Sequence, residues 1–219
     1  YDYISRCAEE DMNISLPPQD LRIWLFHSLR ASSAVMIHSG ALVDVDKLEA
    51  YLGNYSALLK YFMPDITLGM KDVTAYSTIY SETCHELAHA SHFTKVGTGY
   101  WNKYIRYILE SYIKTGGQMY GDGNSEYAGY CEVGECWAYY LESMMYKERY
   151  GGSIPTFGTG YWFYPQVFRY LDERGLSRSD IFSVLGENVM SMDAVRTVLT
   201  ETFPEKRTII DQVFERYVN

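Results

Sequence analysis

A chain of 219 residues suits one medium-sized domain with its own core, or one domain in two lobes. Lys and Arg total 19 against 28 Asp and Glu, a formal net charge of −9 with no basic stripe to offset it, which disfavours nucleic acid and anionic membrane surfaces as partners. No apolar run reaches the length of a membrane span, and four cysteines without a CxxC pair are too few for a disulfide scaffold.

The first 19 positions are polar and run into the turn-forming "LPPQD". "LRIWLF" (21–26) and "SAVMIHS" (33–39) read as two short strands, or as parts of one helix from Gln19 to His38; their β-branched and aromatic content favours strands. "DVDKLEAYLGNYSALLKYF" (44–62) spaces its leucines and aromatics as a helix, with Asp44 and Asp46 at its start. "PDITLGM" (64–70) is a further short strand. Beyond it the pattern is helical. The first helix should run from about Ala75 to Lys95, with a core stripe of Tyr76, Ile79, Tyr80, Thr83, Leu87 and Ala90, and should stop at Gly97 and Gly99. A second covers about 101–114. After the Gly-rich loop "TGGQMYGDGNSEYAGYCEVG", a third opens at Glu135 and runs to Tyr150. A second loop, "GGSIPTFGTGYWFYP", leads to four C-terminal helices near 165–174, 178–185, 191–201 and 205–217, with Ser177 and Ser191 as caps. Long loops of this kind often border a site. The expected fold class is α+β, mostly helical, in a single domain. An N-terminal lobe over 1–71 carries the strands, and 72–219 forms the helical remainder.

"ETCHELAHASHF" (82–93) holds three of the chain's five histidines. Residues four apart on a helix lie one above the other, so His85 and His89 project together and can take two corners of a tetrahedral zinc site. Glu86 lies beside that face, within reach of a metal-held water without being a ligand. The H-E-x-x-H pattern thus supplies two ligands and one general base. Cys84 adjoins His85 and points about 100° away from it, which reads as core cysteine. His92 sits about 10 Å along the axis from His85, too far for one straight helix to bring all three imidazoles to one ion. It reads as a supporting, substrate-facing or surface residue. A catalytic zinc site needs a third protein ligand. "EVGECWAYYLE" offers Glu132, Glu135 and Glu142. Glu135 is favoured because it opens a helix behind Gly134, where the backbone can approach closely. Glu132, expected in the loop, is second, and Glu142 lies two turns too deep. Tyr161, Tyr164, Tyr127 and His92 are candidates for stabilising an oxyanion.

With "HELAH" (85–89) and the Glu of "GECWAYYLE" (135), the chain resembles the gluzincin peptidases over about 75 residues. The wider pattern "CHELAHASHF…YW…VGECWAYYLES" is similar to zinc metallopeptidase domains of envelope lipoproteins in Bacteroides-type bacteria. It departs from thermolysin-like enzymes in lacking N-E-x-x-S-D, from the aminopeptidase branch in lacking G-x-M-E-N, and from metzincins in lacking a third His after a Gly turn. The resemblance implies a zincin-like domain with a small sheet, an HExxH helix and a C-terminal helical lobe. It implies a Zn2+-dependent hydrolase of peptide or amide bonds with Glu86 as base, His85, His89 and Glu135 as ligands, and a peptide or protein substrate. It also implies an extracytoplasmic place in a bacterial envelope or secretion, which fits a chain that starts at Tyr1 as a processed piece. The alternative is a non-catalytic zincin-like binding or accessory module of a cell-surface protein; the intact Glu86 favours the enzyme.

Overall fold

The computed structural model describes residues 1–9, 12–41, 63–155 and 160–217. The described residues form an α+β structure, mostly helical, with one small sheet. The helix expected over 44–62 lies outside them.

The two apolar runs near the N-terminus are strands, β1 (Ile23–Phe26) and β2 (Ser33–Ala34), and the third is β3 (Ile66–Gly69). β3 is central, parallel to β1 and antiparallel to β2. Asp65, just before β3, is buried, and its carboxylate accepts from the backbone N–H of Arg22 and of Ser39 at 3.1 and 2.7 Å. One side chain thus ties the entry to β1 to the exit from β2. A short helix, α1 (Asp2–Cys7), docks through Tyr3, whose hydroxyl pairs with Ser91 Oγ at 2.8 Å, and through Asp2, which accepts from Tyr80 and Arg149.

The central element is α2 (Tyr76–Thr115), which breaks at Gly97. Gly97 has φ 76° and ψ 177°, a conformation open chiefly to glycine. A Cβ there would meet nothing within 4 Å, so the backbone angle and not crowding calls for glycine. The break falls where the sequence pattern puts it. The expected core stripe is only partly right. Tyr76 is exposed, and from Cys84 to Phe93 every side chain is buried. This stretch is enclosed on all sides, so no single stripe describes it. The sheet covers one side, with Trp101 Nε1 donating to the carbonyl of Ala34 at 3.2 Å, and α3 (Ala128–Tyr150) covers another.

α3 begins seven residues before the expected start. Gly129 and Gly134 read as loop glycines, yet both lie inside the helix. Gly129 is there for close approach, because a Cβ would sit 2.1 Å from the carbonyl oxygen of Met190. Glu132 is therefore helical, and Glu135 lies two turns into α3. Next come α4 (Gln166–Asp172), α5 (Arg178–Val184) and α6 (Met192–Thr202), then a 3-10 turn at Pro204–Lys206 and α7 (Arg207–Tyr217). Ser177 accepts from the Asp180 N–H in a capping box, and Ser191 accepts from the Ala194 N–H, as expected of N-caps. No described helix is long and apolar enough to cross a membrane.

Candidate metal centre

The first arm of α2 and the second and fourth turns of α3 face each other across a buried polar seam. His85 and His89 come from α2, Glu135 and Glu142 from α3, and all four are below a tenth exposed. The Nε2 atoms of His85 and His89 lie 3.1 Å apart. His85 Nε2 is 3.4 Å from one oxygen of Glu135, and His89 Nε2 is 3.6 Å from the other. A tetrahedral ion with donors about 2.0–2.1 Å away has edges of about 3.4 Å, so this spacing suits a small cation between the three side chains. Their ligand atoms lie within 4.8 Å of one another, and this buried group could hold a metal ion.

The hydrogen bonding around the three groups fits that use. His85 Nδ1 lies 3.0 Å from Glu142 Oε2, and Ser81 Oγ donates to the other Glu142 oxygen at 2.6 Å. Where His85 gives its Nδ1–H to Glu142, a metal ion would take Nε2 in place of a proton. Tyr104, on the second arm of α2, donates to Glu135 Oε1 at 2.5 Å. Glu135 Oε2 is buried and accepts no hydrogen bond of normal geometry. A buried carboxylate oxygen in that state costs free energy unless something cationic meets it. Burial alone would push His85 down, yet Glu135 and Glu142 outweigh it and hold the imidazole well above its usual range. Burial would likewise raise Glu135, but His89 and His85 prevail and keep it ionised far below the carboxylate norm. Burial dominates at His89 and lowers it.

Glu86 is also buried, next to the seam, and burial raises its carboxyl to about 8. It lines a polar cleft of about 330 Å³ with His85, Glu82, Glu142, Tyr139 and Tyr161. Of the four side chains expected as oxyanion candidates, Tyr161 reaches this cleft. Tyr127 and Tyr164 do not line it. His92 is neither surface nor substrate-facing. It is fully buried against the rings of Tyr100 and Trp101, and burial lowers it to about 3. Cys84 is core, as expected. Glu132 is turned away from the centre and accepts from the Met192 N–H at 3.4 Å. Gly134 does face His89 and Tyr104, but a Cβ there would make only ordinary contacts of 3.7–4.0 Å, so close approach does not require glycine.

Ser81, Tyr104, Tyr139 and Tyr120 carry no mark in the sequence, and Glu142 is weighed there only as a ligand. Glu142 is a partner of His85 and not a surplus carboxylate. Its signal was present, since it lies seven residues after Glu135, two helical turns along the same face. Tyr139 stacks edge-on against His85 with centroids 4.4 Å apart, and Tyr120 lines the cleft from the Gly-rich loop. Among so many tyrosines nothing in the sequence marks these two. No protein-family model, curated protein or solved structure matches the chain.

Proposed function

We propose that the protein is a zinc-dependent hydrolase of peptide or amide bonds, built on a zincin-like arrangement. The observation that carries this reading is the buried His85–His89–Glu135 group with Glu86 on the same helix, beside the same cleft. Two imidazoles and one carboxylate, with a position left open, are the donor set of a catalytic zinc site. When bound, zinc supplies Lewis acidity and brings the pKa of water it holds to about 7. The remaining work falls to side chains. Glu142 and Ser81 orient His85. Tyr104 orients Glu135. Glu86 takes the proton from the attacking water and delivers it to the leaving amine, a transfer that a buried carboxylate beside the cleft can make in both directions. Tyr161, Tyr139 and Tyr120 line the cleft, and a hydroxyl from one of them would meet the negative charge that develops on the carbonyl oxygen.

The test is Glu86→Gln. The amide keeps the shape but cannot accept a proton. Zinc content and melting temperature should match wild type, while hydrolysis of a diverse peptide library falls by about 10²-fold or more. Undiminished cleavage would remove Glu86 from the mechanism. Zinc binding without cleavage by either protein would leave a binding module in place of an enzyme.

A further inference from the structure

The metal centre is bordered by two spaces of opposite character. One is the polar cleft, with Glu82 and Arg30 on its rim. The other is a recess of about 240 Å³ that meets the same His85 and Glu86 and continues past His89 and Glu135. Its exposed lining is mostly apolar, although Ser32 and Ser33 also border it. Ile105, Ile108 and Leu109 lie at i, i+3 and i+4 on the second arm of α2 and form one side. Val35 and Met119 close it from the end of β2 and from the Gly-rich loop. The Tyr104 hydroxyl donates to Glu135 and not into the recess. Leu109, about half exposed, stands at the rim, whereas Ile105 is buried.

The break at Gly97 makes this possible. It redirects the helix so that the second arm returns three aliphatic side chains toward the centre that the first arm supplies. A recess of this size holds one large side chain and no folded element. The recess and the polar cleft share His85 and Glu86, so a chain crossing from one to the other would pass both. We infer that this recess is the specificity pocket, which takes the aliphatic or aromatic side chain of the residue flanking the scissile amide, while the polar cleft receives the chain on the other side. The inference rests on the hydrolase reading for its catalytic half. Binding of an apolar side chain in the recess stands by itself. Filling an apolar pocket of this kind separates a large side chain from a small one by about tenfold or more.

The experiment uses the whole chain, labelled at Ile and Met methyl groups, and two matched probes, N-acetyl-leucinamide and N-acetyl-glycinamide. The leucine probe should shift the methyl resonances of Ile105, Ile108 and Met119, with or without zinc, and the glycine probe should not. Absence of these shifts overturns the recess whatever the metal does. In a peptide library, wild type should prefer Leu or Phe over Ala next to the cut bond by tenfold or more in kcat/KM. Ile108→Trp, which fills the recess, should bring that ratio near one. Leu109→Arg, at an exposed position that tolerates charge, should lower it with the melting temperature unchanged. Equal cleavage of Leu, Phe and Ala peptides by wild type would refute the inference and leave the hydrolase reading intact. Methyl shifts in a protein that binds no zinc would do the reverse.

Discussion

Ser177 and Ser191 start α5 and α6 by accepting from backbone amides of the next turn, and the helices behind them bury aliphatic and aromatic stripes such as Ile181, Phe182, Val195 and Leu199. The seam between α2 and α3 is made differently. Its buried side chains include five ionisable ones, His85, Glu86, His89, Glu135 and Glu142, together with Ser81. In the C-terminal helices, local capping and apolar burial are both favourable and each stands alone. In the seam, each buried group costs desolvation and is tolerated only through its partners. An ion held by His85, His89 and Glu135 would act on the seam alone. The C-terminal helices should be indifferent to metal, and the seam should not be.

The largest expected effect follows directly. Zinc at about a thousand times its dissociation constant adds about 4 kcal/mol to a protein that binds it only when folded. For a chain of this size that is a rise in melting temperature of about 10 °C. Glu135→Ala and His89→Ala should abolish the response, because each removes one of three donors. Calorimetric melts with zinc and with a chelator check this. Identical wild-type melts in both would mean that the seam is held by its hydrogen bonds alone.

A smaller effect separates holding from orienting. Glu142→Gln keeps an acceptor for His85 Nδ1 but removes the charge behind it. Zinc affinity should fall by about 10- to 100-fold, as for other carboxylates placed behind a ligating imidazole. Tyr140→Phe provides the control on the same helix. Its hydroxyl donates to Asp172 at 2.8 Å, toward the C-terminal helices, and its loss should leave zinc affinity unchanged. Competition titrations with a chromophoric chelator give both numbers, and equal affinities for wild type and Glu142→Gln would deny Glu142 any part in the centre.

The same contrast governs what could be read from the sequence. The C-terminal helices follow local rules, so Ser177, Ser191 and the apolar spacing place them within a residue or two. The break at Gly97 was legible for the same reason: a backbone need is written in the residue itself. The pairing of His85 with His89 was legible because helical spacing alone brings them together. The start of α3 was not. Gly129 weakens a helix by propensity, and only the carbonyl of Met190, far along the chain, explains why a glycine stands there. Nor was the burial of His92, which rests on Tyr100 and Trp101 beyond the break. Glu142 had the right spacing from Glu135, but its role depends on how deeply α3 passes across α2, which no local pattern encodes.

The smallest effect lies where the two regions meet, at Glu132. Its carboxylate, on α3, accepts from the Met192 N–H in the first turn of α6, and burial raises it to about 7. Burial and the nearby charge of Asp193 raise it, and the Met192 N–H lowers it. The helix start favours the anion, and desolvation opposes it. Desolvation is the larger. The unfolded carboxyl titrates near its ordinary value of about 4.3. Below that both states hold the proton, and Glu132 adds no pH dependence. As pH rises toward 7 the unfolded chain releases its proton first, so folding stability falls, and above 7 the loss is constant. Glu132→Gln removes the titration and keeps an acceptor for Met192. The variant should match wild type near pH 4 and exceed it by about 1 kcal/mol at pH 8, a figure held below the full shift because the side chain is partly solvated. Urea denaturation at both pH values, with zinc absent, measures the difference. A variant less stable than wild type at pH 8 would show that the helix start outweighs burial, and that the junction between seam and C-terminal helices is held by charge.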